Sequence, residues 1–222
     1  MSQCLPLFPL GTVLYPGLVL PLHIFEQRYQ ELVRDLLAGP EPRQFGVIAI
    51  REGRETGIAG VRALHEIGCT ATLRQVDEQE DGRYNLVAVG TERFRLLRLD
   101  DSRAYLQADV DLLADEAGDE AAAGLAVSAV QEAFLAYLEV LAQRGATRVN
   151  VPALPDEPVL LSYVVAASVV VDLHDKQALL AEPDALRRLT AERTLLLKET
   201  TLLRALTSMP AADLRNTPYS PN

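Results

Sequence analysis

Apolar residues are distributed in two textures that change near residue 115. Up to about residue 111, short apolar runs alternate with Gly, Pro and charged breaks, the pattern of β-strands and turns. Strands are expected over residues 5–10, 13–15, 45–50, 67–76, 84–89, 94–99 and 105–112. Gly11 separates the first two, and Pro16-Gly17 reads as a turn. Asp81-Gly82 stands between two of the runs and is a strong hairpin signal. Residues 21–25 read as the lead-in to a helix beginning near Glu26. Its Tyr29, Leu32, Val33, Leu36 and Leu37 share one face until Gly39-Pro40 stops it. Many short strands with one inserted helix predict a small barrel rather than a parallel α/β sheet.

From about residue 119 the apolar period lengthens to that of helices. An acidic linker, residues 115–119, opens this part. Ala122, Leu125, Ala126, Ala129, Val130, Ala133, Phe134, Tyr137, Leu138 and Leu141 then form a helical stripe that Gly145 ends. Residues 150–158 are a proline-rich loop in which Asp156 is placed as an N-cap and Pro158 in the first turn. The run 159–171, VLLSYVVAASVVV, has no decisive period, but its length and capped start predict a central helix buried on all sides. It is shorter than the roughly 18 apolar residues that span a bilayer, so no membrane association is expected from it. A short segment near 175–180 follows. Pro183 then opens a long helix carrying Leu186, Leu189, Leu196, Leu203 and Leu206, and the polar tail after Pro210 reads as frayed. The expected class is α+β, with a barrel over residues 1–114 and a helical bundle over residues 115–222.

Composition narrows the function. Acidic residues outnumber basic ones 31 to 21, a net charge of −10, which argues against a general nucleic-acid binder. Only Cys4 and Cys69 are present, too few for a disulfide scaffold and without zinc-motif spacing, so reduced thiols of a cytoplasmic protein are expected. Pro6 and Pro9 interrupt the first apolar run, which does not read as a signal peptide. His65 and Cys69 lie four apart in a strand context, about 13 Å, too far to share a metal. Cys69 reads as a small buried apolar thiol, and His174 as a cap or surface residue. Asp100-Asp101 and Asp115-Glu116 read as solvated loop charge, and residues 77–81, DEQED, as a solvated hairpin tip. Residues 57–60 make a poor phosphate loop, and neither a GxxxxGK[ST] loop nor a nucleophile elbow occurs. No catalytic residue, metal ligand or cofactor site is assigned. The uncharged apolar loop Tyr15, Pro16, Leu18 and Val19 is the candidate contact for a polypeptide.

The stretch LPLFPLGTVLYPGLVLPLHIFEQRY carries Pro6-Leu7-Phe8-Pro9-Leu10, Pro16-Gly17, Pro21-Leu22, Ile24-Phe25-Glu26 and Arg28-Tyr29. Phe45-Gly46-Val47, Ile67-Gly68-Cys69, Gly90-Thr91-Glu92-Arg93-Phe94 and Lys176-Gln177-x-Leu179-Leu180 follow in order. In this series, over roughly residues 5–207, the chain resembles the substrate-binding domain found at the N-terminus of Lon proteases. The resemblance implies a pseudo-PUA barrel with a helical bundle, and a non-catalytic module that binds unfolded or extended polypeptide segments, standing apart from the family's ATPase and protease. A separate ATP-dependent protease is then a candidate partner and a role as an adaptor in proteolysis is implied, while the client and the oligomeric state stay open. The alternatives are an RNA-binding PUA-like protein and a small-molecule or enzymatic barrel. The matched Pro6, Phe8, Pro9, Pro16, Gly17, Pro21, Phe25, Glu26, Arg28, Tyr29, Gly90, Arg93 and Phe94 are expected to be scaffold. Proline punctuates strands, Phe8, Phe25 and Tyr29 fill the barrel, and Glu26 favours its helix N-terminus.

Overall fold

Period-two alternation governs the first half of the computed structural model, which describes residues 2–55, 61–116, 118–143 and 154–207. The order is β1 (Ser2–Leu10), β2 (Val19–Ile24), α1 (Gln27–Ala38), β3 (Gln44–Gly53), β4 (Val61–Glu78), β5 (Tyr84–Asp100) and β6 (Gln107–Leu113). Four helices follow: α2 (Glu120–Gln143), α3 (Pro158–Ser168), α4 (Leu173–Ala181) and α5 (Ala185–Thr207). The class is α+β.

β1 serves two ladders in turn. Its first residues pair antiparallel with β6 (Leu5 opposite Ala108), and its last pair parallel with β3 (Phe8 opposite Val47). β3, β4 and β5 continue antiparallel, and the second half of β5 returns to β6 (Leu96 opposite Val110), which closes a five-stranded ring. β2 stands outside that ring at the end of the sheet order, paired with the first half of β5 (Val19 opposite Val89, Ile24 opposite Tyr84). α1 packs Tyr29, Leu32, Val33 and Leu36 against one face of the sheet, on Phe8, Phe45 and Leu86. The opposite face of the same strands carries a second core, Leu7, Ile48, Phe94 and Val110 with Leu64, to which all five strands of the ring contribute.

In the helical half, Val130, Phe134 and Tyr137 of α2 pack with Leu161 and Val165 of α3 and with Leu189 and Leu196 of α5. Residues 121–143 of α2 are long and apolar enough to cross a membrane by length and composition alone. Within the fold one face of that helix is buried in the bundle. The halves meet where Tyr15 and Ile67 of the barrel side contact Tyr163, Ala166, Leu179 and Leu180.

Several elements differ from the sequence expectation. Residues 13–15 are not a strand but part of the loop that carries the chain onto β2, and residues 21–24, expected as helix lead-in, belong to that strand. The runs 84–89 and 94–99 are one strand, because the ladder to β4 continues through Gly90 (opposite Ala71) and Arg93 (opposite Cys69). The N-cap of α3 is Glu157, not Asp156: the Glu157 carboxylate accepts from the N–H of Val159 and Leu160, with Pro158 following it. The apolar run outlasts α3, and neither Val170, in the extended segment beyond it, nor Leu160 on the helix is buried. The glycine turn 57–60, Gly145 and the tail after Pro210 lie outside the described residues.

Candidate functional site

The loop between β1 and β2 is split by its own hydrogen bonds. The Tyr15 hydroxyl donates to the Lys176 carbonyl of α4 at 2.9 Å, and its ring lies 6.0 Å from that of Tyr163. Burial, reinforced by the nearby Glu192 carboxyl, drives the Tyr15 pKa far upward. Pro16 is buried beside it. The Gly17 N–H donates to the Gly90 carbonyl and the Gly90 N–H to the Leu18 carbonyl, both at 2.9 Å. Gly17 has φ +79°, where a side chain is strained, and a Cβ on Gly90 would sit 2.3 Å from the Tyr15 carbonyl oxygen. Both glycines therefore hold a tight turn. Of the four candidate contact residues, Tyr15 and Pro16 face inward, Leu18 is half-buried between barrel and interface cores, and Val19 is 62% exposed.

Val19 begins the outer face of β2. Alternation along the strand puts Leu20, Leu22 and Ile24 inward and Val19, Pro21 and His23 outward. Phe25 continues the outer row at 56% exposure, although its motif context marked it as barrel filling. It does not fill the barrel because it falls on the solvent side of the strand's period. The His23 and Phe25 rings stack at 6.2 Å, and His23 Nδ1 shares a 2.8 Å hydrogen bond with Asn85 Oδ1. The signal that exposes Phe25 is the alternation starting at Val19, which runs through residues 21–25 where a helix lead-in is expected.

Beside Phe25 lies a cleft of about 180 Å³, walled by Phe8, Pro9 and Leu10 of β1 on one side and by Leu22, Ile24 and Phe25 on the other. Tyr29 also lines it, its ring stacked 4.1 Å from that of Phe8. The Arg28 guanidinium sits 4.4 Å over the Tyr29 ring, bonds Glu26 at 3.1 Å and donates to the Glu55 carbonyl at 2.7 Å. Glu26 occupies the N-cap position of α1, where its carboxylate pairs with Arg28 and makes no cap hydrogen bond. Burial pushes the Tyr29 hydroxyl up to about 12, and that hydroxyl has no hydrogen-bond partner among the described residues.

The remaining motif residues divide between barrel and interface. Phe94 is buried within the barrel, and Arg93, its neighbour in the strand, faces the helices. Arg93 Nε donates to Asp115 at 2.8 Å, and its other nitrogens donate to the carbonyls of Ala114 and Leu180. The same Asp115 oxygen accepts from Arg188 at 3.2 Å and from the Tyr163 hydroxyl at 2.6 Å. Asp115, expected as solvated loop charge, is the shared acceptor of two guanidiniums that are 1% and 0% exposed. Arg188 also stacks 4.1 Å from the Tyr163 ring and donates to Ser162 and to the carbonyls of Leu179 and Glu182. One helical turn on, Glu192 is fully buried with neither carboxyl oxygen hydrogen-bonded among the described residues. Desolvation holds its pKa well above the usual carboxylate range, partly opposed by Arg188. Gln177 of α4 donates to the Ile67 carbonyl at 2.8 Å, so the Lys-Gln-x-Leu-Leu motif docks the helices on the barrel.

Cys69 is buried, and burial raises its thiol pKa, which leaves it an inert apolar group. His65 is partly exposed on the same strand; partial burial and the charges of Arg51 and His174 lower its pKa. Among the described residues no three His, Cys, Asp or Glu side chains gather as a metal set.

Residues 4–198 match the substrate-binding domain of the ATP-dependent protease La (Lon) family. The chain is 27% identical to Lon protease 2 of Myxococcus xanthus over 96% of this chain and 26% of that protein. It is 24% identical to Lon protease of Escherichia coli K12 over 90% of this chain and 25% of that protein. It thus spans about a quarter of the length of these relatives. Among solved structures, the Lon N-terminal domain protein of Xanthomonas campestris superposes with a TM-score of 0.58 at 26% identity, covering 94% of this chain and 99% of that one. The N-terminal domain of Lon protease from the Mycobacterium avium complex shares the fold, with a TM-score of 0.64 at 18% identity over 90% of this chain and 98% of that one. With the family's domain matched from β1 into α5 and its fold reproduced over nearly the whole chain, this protein belongs to the Lon substrate-binding domain family.

Proposed function

We propose that this chain is a non-catalytic recognition module for unfolded or extended polypeptides, acting in the cytoplasm as an adaptor that presents clients to an ATP-dependent protease. The observation that carries this reading is the match of residues 4–198 to a substrate-binding domain. The surface agrees with it. Most large apolar motif residues are packed away, yet Val19 on the outer face of β2 and Phe25 just past its end stand in solvent, the kind of exposed apolar surface that marks a contact site. The contact then centres on Val19 and Phe25, with Leu18 behind them, while Tyr15 and Pro16 hold the turn. The two halves, residues 1–114 and 115–222, act as subdomains fixed to each other by the Asp115 cluster.

The test titrates a fluorescent disulfide protein, reduced and carboxymethylated so that it cannot refold, with this chain at moderate salt, using the folded protein and an RNA as competitors. Saturable binding that neither competitor displaces, weakened by Val19→Glu, is expected. Binding to the RNA or to the folded protein in place of the unfolded one would overturn the reading.

A further inference from the structure

The geometry points to strand addition at the open edge of β2, with one ring-sized apolar side chain of the client seated in the cleft beside Phe25. This rests on the recognition reading above and adds the mode of binding and the chemistry of the segment bound.

Three observations converge on it. First, β2 pairs on one side only, with β5, and stands at the end of the sheet order. The backbone groups of its other edge have no ladder partner among the described residues, and such an edge is a template for another extended chain. Second, beyond Leu7, whose N–H donates to the Leu106 carbonyl, β1 has ladder partners among the described residues only in β3, so Phe8, Pro9 and Leu10 leave a second edge without a ladder partner there. Third, the cleft lies between these two edges, with walls of Phe8, Pro9, Leu10, Leu22, Ile24 and Phe25. A side chain could line either edge with apolar contact; only a polypeptide main chain can also satisfy a row of N–H and C=O groups at strand spacing.

Size and charge select the occupant. The cleft measures about 180 Å³. An apolar cavity of about 150 Å³ holds a benzene ring, so one aromatic side chain fits and two do not. Two carboxylates, Glu26 and Glu55, line the cleft, and His23 beside them is bonded through Nδ1 to Asn85, so the acidic lining disfavours an acidic side chain. A net charge of −10 further disfavours acidic segments. Pro21 has no N–H to give and thereby interrupts the edge. That leaves residues 22–25, the stretch next to the cleft, as the pairing register. The segment recognised is therefore extended, free of acidic residues near its centre, and carries one phenylalanine or tyrosine that anchors it.

The test uses the full chain and a labelled peptide that alternates valine and threonine around one phenylalanine, read by fluorescence anisotropy. Three changes are compared: N-methylation of alternate peptide bonds along one edge, phenylalanine to alanine in the peptide, and Phe25→Ala in the protein. Phe25 is exposed, so its truncation leaves the fold intact, which a circular dichroism melt verifies. N-methylation on one edge is expected to abolish binding, and each alanine change to weaken it about tenfold or more, as loss of a buried ring does. Binding that survives N-methylation on either edge overturns strand addition, and an unchanged affinity of Phe25→Ala overturns the anchoring cleft. If the unfolded protein binds but the peptide does not, the inference fails while the recognition reading stands; if neither binds, the recognition reading itself fails. Concentration-dependent self-association abolished by Phe25→Ala would assign the edge to a second copy of this chain and also overturn the proposal.

Discussion

Replacing Asp115 by alanine takes the shared carboxylate away from two guanidiniums that have almost no access to water. Arg93 keeps the carbonyls of Ala114 and Leu180, and Arg188 keeps Ser162 and the carbonyls of Leu179 and Glu182. Their hydrogen bonds thus largely survive and their neutralisation does not. Removing one partner of a buried ion pair costs about 3–5 kcal/mol. Asp115 is itself 23% exposed, so water can enter part of the gap and the low end, about 3 kcal/mol, is expected. Glu192 gives little relief, because burial keeps its carboxyl protonated well above the usual range. Asp115→Asn retains an acceptor of the same shape and loses only charge, so a smaller loss, about half, follows. Against a typical total stability of about 5–15 kcal/mol, the alanine change is large. Urea unfolding at neutral pH followed by far-ultraviolet circular dichroism measures both variants, with the slope of the transition checking that the unfolding reaction is unchanged. An alanine variant within about 1 kcal/mol of the parent, with the same slope, would refute the claim that this carboxylate joins the two halves.

Glu192 has the opposite sign. Its raised pKa means that the folded chain keeps a proton the unfolded chain releases above about pH 4.3, so its contribution is full below that pH and is lost as pH rises toward the folded-state value, about 1.4 kcal/mol per unit. Glu192→Gln should therefore gain stability relative to the parent as pH rises above about 4.3, with a flatter decline of the urea midpoint; parallel pH profiles would contradict this. Gly90→Ala sets a methyl 2.3 Å from the Tyr15 carbonyl oxygen, and the backbone shift it forces should cost about 2–3 kcal/mol in the same urea assay. Cys4 is exposed and Cys69 buried, so a thiol reagent should modify one cysteine in the native chain and the second only at the rate of unfolding.

How far these features could be read from the sequence depended on the range of the interaction that decides each. The helix of Tyr29, Leu32, Val33 and Leu36 is set by contacts three and four residues apart and lies where its period puts it. The hairpin at Asp81-Gly82 needs only local geometry, and it forms, with Gly82 at φ +78°. β2 was lost because proline at its third position argues against a central strand, whereas at a sheet edge the missing N–H does no harm. Asp115 could not be understood from its neighbourhood, since its partners lie 22, 48 and 73 residues away. Of the candidate contact loop, the apolar character was legible and the division into inward Tyr15 and outward Val19 was not. That division is made by Gly90 and Lys176, remote in sequence.

Those separations also order the Asp115 cluster in time. Chains grow at about 5–20 residues per second, so Asp115 is made within a few seconds of Arg93. Arg188, 73 residues later, follows after about 4–15 seconds. The carboxylate is thus available to a nascent barrel as the counter-charge of Arg93 before the second guanidinium exists. The arriving helix meets an acceptor already in position, and docking it adds a positive charge to a site whose anion was supplied in advance.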